Sequence, residues 1–492
     1  MAIANGGTYG RTTRMRELAY KLALFRAKFG KWRESGIMRK ISDFFYSPFF
    51  IYAVGVISLG LNILGIDELT YAFLAVAGTS SLVVCSDALP AFGVLTFFTV
   101  ARSVGNRDFE KFNSASYVVL GIFGAVAGLA FLFHLLMNFS FRRLRSSRFN
   151  LAFAVLGFGL ITNGFFFSGY TFRNIPDALK LLVYMVGVYF LLRGCVRPTR
   201  DSLRYFAFVC LVHGLTVGAQ VLATYFINKP FIDGGFSKDN LIFGWGISNT
   251  AGEVLFRDMP LCFYLMCTEK KNNWYYFVAA CMIVIAQVFT YARASLLFTL
   301  PLFCLCYVLC LIFGKKRAQT LICGAAAFVA GIAALVVMKD EIAQMLKFFT
   351  DNGFKDRGRF ELWNDGINFF KEHPVFGVGL RHRFKELFHN FSYYHNTLIQ
   401  FTVTGGVVGI GTYLFFRMHT YALFTQKLTL ERLFLGVLAG GILCISLLDN
   451  FVMYLGSQLF LNFAIVFAEH DLNATLPFAY MRRNKRGYKA LY

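Results

Sequence analysis

The chain has 492 residues, of which 57% are hydrophobic and 15% charged, with a mean hydropathy of +0.55 and a net charge of +22. So little polar surface excludes a string of soluble domains of this total length. The apolar residues are gathered into long runs, which predicts an all-α polytopic membrane protein.

In chain order, a basic arm at residues 1–46 comes first, carrying Arg11, Arg14, Arg16, Lys21, Arg26, Lys28, Lys31, Arg33, Arg39 and Lys40. The first apolar run starts only after Phe45, so no cleavable leader is expected. A window of about 20 residues then finds about fourteen candidate spans. Eleven of them fall within residues 47–338: Ser47–Leu64, Leu69–Cys85, Leu89–Ala101, Tyr117–Leu136, Leu151–Gly169, Leu179–Leu192, Tyr205–Ile227, Ala251–Cys267, Tyr275–Thr290, Ser295–Phe313 and Thr320–Met338. The third is short for a span, which leaves a re-entrant pair open. A charged loop at residues 339–394 separates these from three more within 395–468, namely Thr397–Phe416, Leu433–Leu448 and Phe451–Phe467, and a basic tail at 469–492 closes the chain.

Lysine and arginine placement orients the chain. Clusters at Arg142–Arg148, Arg193–Arg204, Lys270–Lys271, Lys315–Arg317 and Arg482–Lys489 fall on one side if there are fourteen spans, together with the N-terminal arm. The connection with Arg102, Arg107 and Lys111 falls on the other, alongside Asp108 and Glu110. The expectation is a multi-pass protein of the plasma (inner) membrane with both termini cytoplasmic. The positive charge then belongs to short cytoplasmic connections facing anionic lipid, and a nucleic-acid partner is rejected. The arm at Leu18–Trp32 reads either as a basic amphipathic helix on the inner leaflet or as a solvated tail. The eleven cysteines sit in or beside apolar runs and read as small hydrophobes, with no metal, cofactor or disulfide expected.

The loop at 339–394 holds nine Lys or Arg and eight Asp or Glu. Phe360, Trp363, Ile367 and Phe370 form one helical stripe ended by Pro374, which suits a helix lying on the membrane surface. A glycine turn, Val375-Phe376-Gly377-Val378-Gly379, follows, and Tyr393-Tyr394-His395-Asn396 leads into the next span.

The run GRFELWNDGINFFKEHPVFGVGL (Gly358–Leu380), followed by HNTLIQFTVTGGVVGIGTYLFF (His395–Phe416), resembles the O-antigen ligase and O-antigen polymerase superfamily. YARAS (Tyr291–Ser295) is similar to a further corner of that family, with Ala292 where serine is usual. GWGISNTAG (Gly244–Gly252) is similar to another of its loops, without the usual proline. The resemblance implies a metal-independent, inverting glycosyltransferase working on the external face. Its donor would be an undecaprenyl-diphosphate-linked oligosaccharide and its acceptor a glycan hydroxyl in cell-surface polysaccharide assembly. Polymerase is favoured slightly over ligase, and a lipid-linked oligosaccharide flippase is the rival from another class.

The chemistry of such a transfer asks for cations on the departing diphosphate and a base for the acceptor hydroxyl. The resemblance assigns Arg293 and Arg359 to the diphosphate and His395 to the base. Each has a plainer reading: a snorkelling arginine, a solvated loop charge and a satisfied interfacial histidine respectively. Arg357, Asn396, Asn249, Trp245, Arg257 and Asp449 are further candidates for substrate contact. Against this, Asn396 also reads as a helix cap, Arg257 as an internal partner of Glu253 at four-residue spacing, and Trp363 as an interface anchor. His373, His382 and His389 read as surface residues.

Overall fold

The computed structural model describes residues 6–101, 114–168, 170, 175–228, 231–232, 235–236, 242–243, 246–271, 273–337, 339, 343, 359–380 and 393–470. Helix dominates, as expected of backbone that must satisfy itself in lipid. The elements are α1 Gly6–Arg33, α2 Gly36–Phe45, α3 Pro48–Ile63, α4 Asp67–Val84, α5 Leu89–Thr96 with a 3-10 turn to Thr99, α6 Ser114–Asn138, α7 Phe141–Arg145 and α8 Asn150–Ile161. Next come α9 Ile175–Leu182 and α10 Val188–Cys195, joined through a π-turn, then α11 Arg200–Asn228, α12 Ser248–Thr268, α13 Asn273–Phe289, α14 Arg293–Phe313 and α15 Arg317–Val337. The last are α16 Arg359–Glu372, α17 Thr397–Thr425, α18 Leu430–Ile445 and α19 Leu455–Ala468. Two tiny antiparallel ladders, Phe231–Ile232 with Gly235–Phe236 and Ile242–Phe243 with Gly246–Ile247, lie between α11 and α12.

Every apolar run read from the sequence carries a helix, though that of Leu151–Gly169 stops at Ile161, and spanning length is rarer. Among the described residues, the stretches Leu120–Asn138, Ile175–Cys195, Arg200–Ile227, Arg293–Phe313 and Thr397–Thr425 are long and apolar enough to cross a membrane. The pair α2 and α3, bent by 58°, adds one more if it is a single span. The other runs give shorter or more polar helices. The run at Leu89–Ala101 is one: its 3-10 end meets the middle of α11, where Thr99 Oγ1 bonds His213 Nε2 at 2.6 Å and Gln220 Nε2 donates to Val100 O at 3.2 Å.

Local signals explain several boundaries. The Ser47 hydroxyl accepts from Phe50 N and Pro48 opens α3; the Thr429 side chain accepts from Arg432 N at the start of α18. At the end of α1, the Arg33 guanidinium donates to Val83 O (2.6 Å, Nη2) and Asn138 Oδ1 (2.7 Å, Nη1), a cation at the carboxyl ends of α4 and α6.

The feature that shapes the site is a break in α17. Gly406 has φ 61 and ψ −155, outside any helical conformation. The break is sharp, because Phe401 and Tyr413 stack with centroids 4.2 Å apart, whereas twelve residues of straight helix would separate them by about 18 Å. Breaking a helix orphans its backbone groups, and the glycine turn after α16 takes them up. Val378 N and Gly379 N donate to Val403 O (3.0 Å) and Thr404 O (2.9 Å); Val407 N and Val408 N donate to Pro374 O (2.8 Å) and Val375 O (3.2 Å). Such close backbone approach leaves no room for a side chain: a Cβ on Gly406 would meet Val375 and Pro374 backbone atoms at 2.4–2.5 Å.

Gly406→Ala is therefore expected to be severe, losing more than about 2 kcal/mol through strain and overlap. Gly411→Ala, whose Cβ meets nothing within 4 Å, should be neutral or slightly stabilising. Thermal unfolding of the two purified variants in detergent checks this; equal melting temperatures would contradict the role given to the break.

Candidate functional site

The docked turn fixes α16 against the first half of α17. Leu362 and Gly366 are the buried positions of α16, and a Cβ on Gly366 would meet the Tyr394 ring at 2.5 Å. The predicted stripe is divided: Phe360 (60% exposed) and Ile367 face outward, while the Trp363 indole N–H donates to Tyr394 O at 2.7 Å. Trp363 thus ties α16 to the residue before His395, a role the interface-anchor reading did not foresee.

His395 itself has φ 52, a left-handed conformation that costs a β-carbon-bearing residue about 1–2 kcal/mol. That kink lets Asn396 start the helix: its side chain accepts from Ile399 N at 3.1 Å and donates to Leu447 O at 2.9 Å. Thr397 N donates to Ser446 O at 3.0 Å. The start of α17 is so stitched to the turn at 446–450 between α18 and α19.

This turn carries Asp449, whose Oδ1 lies 2.9 Å from His395 Nδ1. The histidine side chain is 24% exposed and the aspartate 8%. Burial alone would push the Asp449 carboxyl up. The His395 hydrogen bond and charge, the Asn450 N–H and the Arg359 charge outweigh it and hold the carboxyl below its ordinary value. An ionised Asp449 only accepts, so Nδ1 is the nitrogen that donates to it and Nε2 is the one left to face a substrate. Arg359, at the head of α16, donates from Nη1 to Leu448 O at 2.8 Å, one residue from Asp449.

Of the sequence candidates, His395, Asn396, Asp449 and Arg359 meet around this one turn. Arg293 heads α14, and Phe298 and Leu302 on the following turns pack with Ile445 and Phe451, so its helix end lies on the side of the same turn. Asn249 is partly buried in the first turn of α12. Arg357 and Trp245 lie outside the described residues, as do His382 and His389.

Arg257 is buried in α12 on Glu253 (3.3 Å) and Asp258 (3.5 Å), with Phe460 under its guanidinium at 3.8 Å. From there a chain of contacts runs through Asp258 Oδ2 to His213 Nδ1 at 2.6 Å, and from Glu253 Oε1 to the Ser457 hydroxyl at 2.9 Å.

Sequence reasoning passed over Gln400. Gln400 Oε1, buried, accepts from Tyr394 N at 2.9 Å and Asn450 Nδ2 at 3.3 Å, bridging the two arms of the site. A glutamine one turn into an apolar span was the available signal. Among the described residues, no group of three or more His, Cys, Asp or Glu stands together as a metal site.

The family model described as O-antigen ligase matches residues 277–414, which include Arg293, Arg359, the docked turn, the helix break and His395 but not Asp449. No curated protein matches the chain.

A carboxyl depressed in the folded state contributes stability above its unfolded pKa and loses it as pH falls through the folded one. The wild-type melting temperature should therefore decline as pH drops below the ordinary carboxylate range of about 4. Asp449→Asn should start lower at neutral pH and decline less in acid; parallel curves for the two proteins would contradict the His395–Asp449 coupling.

Proposed function

We propose that this chain, which carries a domain of the O-antigen ligase and polymerase superfamily, moves a glycan from an undecaprenyl-diphosphate carrier to an acceptor hydroxyl in cell-surface polysaccharide assembly. The observation that supports it most is the His395–Asp449 pair at 2.9 Å with Arg359 on the adjoining Leu448 carbonyl. In this reading the site faces the outside of the plasma (inner) membrane and both termini are cytoplasmic.

The chemistry follows from the atoms. The acceptor oxygen attacks the anomeric carbon and its proton passes to His395 Nε2, while the imidazolium is steadied by Asp449. The bond from the anomeric carbon to the phosphate oxygen breaks, and the diphosphate leaves with its electron pair. Arg359 and Arg293 offset that negative charge, helped by the N-termini of α16 and of α17 beside the same turn. One displacement inverts the anomeric configuration, and guanidinium groups in the metal's place make the reaction metal-independent. Asn396 holds the turn rather than the substrate, and Arg357, Trp245 and Asn249 are left to the glycan. We favour the polymerase form, in which the acceptor is another repeat unit; the ligase form differs only in the acceptor.

In membranes lacking the native protein, His395→Ala should cut transfer by about 100- to 10,000-fold while purified protein still binds labelled carrier. Near-normal polymer would make His395 structural. Arg359→Ala should weaken both binding and rate, with lysine restoring only part, because it keeps the charge but not the forked geometry.

Transfer should persist in EDTA, and the new linkage should show the anomeric configuration opposite to the donor's by NMR. A strict need for added magnesium or manganese would overturn the arginine-only account.

A further inference from the structure

A cavity of about 390 Å³ lies within the helical bundle, bounded by α4, α5, α6, α10 and α19. Among the described residues, Tyr71 and Thr79 are the only lining ones with polar side chains; the rest of the wall is hydrocarbon, such as Leu95 and Phe123. It follows α4 from Tyr71 to Leu82 and α6 from Leu120 to Phe131, about 16 Å on each at 1.5 Å per residue.

Two observations tell what fills it. The first is its outer wall: in the Leu120–Asn138 stretch of α6 only 11% is buried, with Ile122, Val126 and Leu129 exposed. A helix so lightly covered and so apolar stands between the cavity and the bilayer, so hydrocarbon is what borders it. The second is its end. Leu455 and Leu459 line it from the first turns of α19, directly after Tyr454. The Tyr454 ring packs on Tyr393 at 6.3 Å, two residues before His395. The cavity thus finishes beside the turn that carries Asp449.

We infer that this cavity receives the prenyl tail of the lipid-linked donor, with the diphosphate emerging past Tyr454 toward His395 and Arg359. The inference rests on the donor proposed above and adds where its tail lies. The end of the cavity beside the turn that carries Asp449 is what selects the donor's tail over the chain of a bulk phospholipid. Gly78 and Gly124 set the width: a Cβ on Gly124 meets nothing within 4 Å, and one on Gly78 meets only Val94, at 3.9 Å. A side chain at either position therefore enters the cavity without displacing backbone, and neither residue belongs to the site around Asp449.

The test uses the full chain in lipid nanodiscs, with the polyprenyl-diphosphate donor and a short citronellyl-diphosphate donor bearing the same glycan. Gly124→Leu and Gly78→Leu should raise KM for the polyprenyl donor about tenfold with kcat little changed, and leave the short donor's constants unaltered. Unchanged KM for both donors, or an equal loss on both, would overturn the inference. In the unmodified protein, a polyprenyl diphosphate carrying a photoreactive tail group should label α4 and α6 peptides; labelling confined to other helices would also overturn it. If neither donor supports transfer by the wild type, the transfer reading fails, while the photolabel still decides whether a prenyl chain occupies the cavity.

Discussion

The backbone exchange at Gly406 is the constraint on which the rest depends. A helix interrupted in an apolar layer leaves N–H and C=O groups with no water to bond. In α17 two carbonyls and two N–H groups around the break are taken by residues 374–379, from Val378 N on Val403 O to Val408 N on Val375 O. The same exchange converts a long span into two segments at an angle, and it seats α16 on the first of them. Without it, neither helix start would have reason to face the turn at 446–450.

From that seating the site follows by short-range bonds. Trp363 holds Tyr394, Gln400 bridges Tyr394 to Asn450, Asn396 holds Leu447, and Arg359 holds Leu448. Asp449 is thereby presented to His395 from a segment 54 residues away in the chain. Each arm is thus fixed by backbone contacts rather than by surface charges, which is the kind of support a site needs if its groups are to stay aligned.

A second polar system lies deeper. Thr99, His213, Asp258, Arg257, Glu253 and Ser457 form a contact chain linking α5's end, α11, α12 and α19. Charges buried in this way are tolerated because each has a partner, and removing one member would strand the others. Its last member, Ser457, stands three residues after Tyr454, so the chain also braces the start of α19, on which the turn at 446–450 hangs.

By itself the sequence determined the helices and part of the site. Apolar runs favour a helix wherever about 20 residues lack charge, and every run read from the sequence carries one. His395, Arg359 and the glycine turn were legible because their resemblance lies within continuous stretches. The tertiary structure decided what depends on residues far apart in the chain. It brought Asp449 against His395. It put Arg257 in an internal ionic chain, joined the Trp363 indole to the Tyr394 carbonyl, and recruited Gln400. It also ended the run at Leu89–Ala101 where the tip of α5 meets α11, and it broke α17 at Gly406 where residues 374–379 are present to satisfy the interrupted backbone. Hydropathy reports the solvent a segment prefers; which donor meets which acceptor is set by packing, and no local pattern in the chain encodes it.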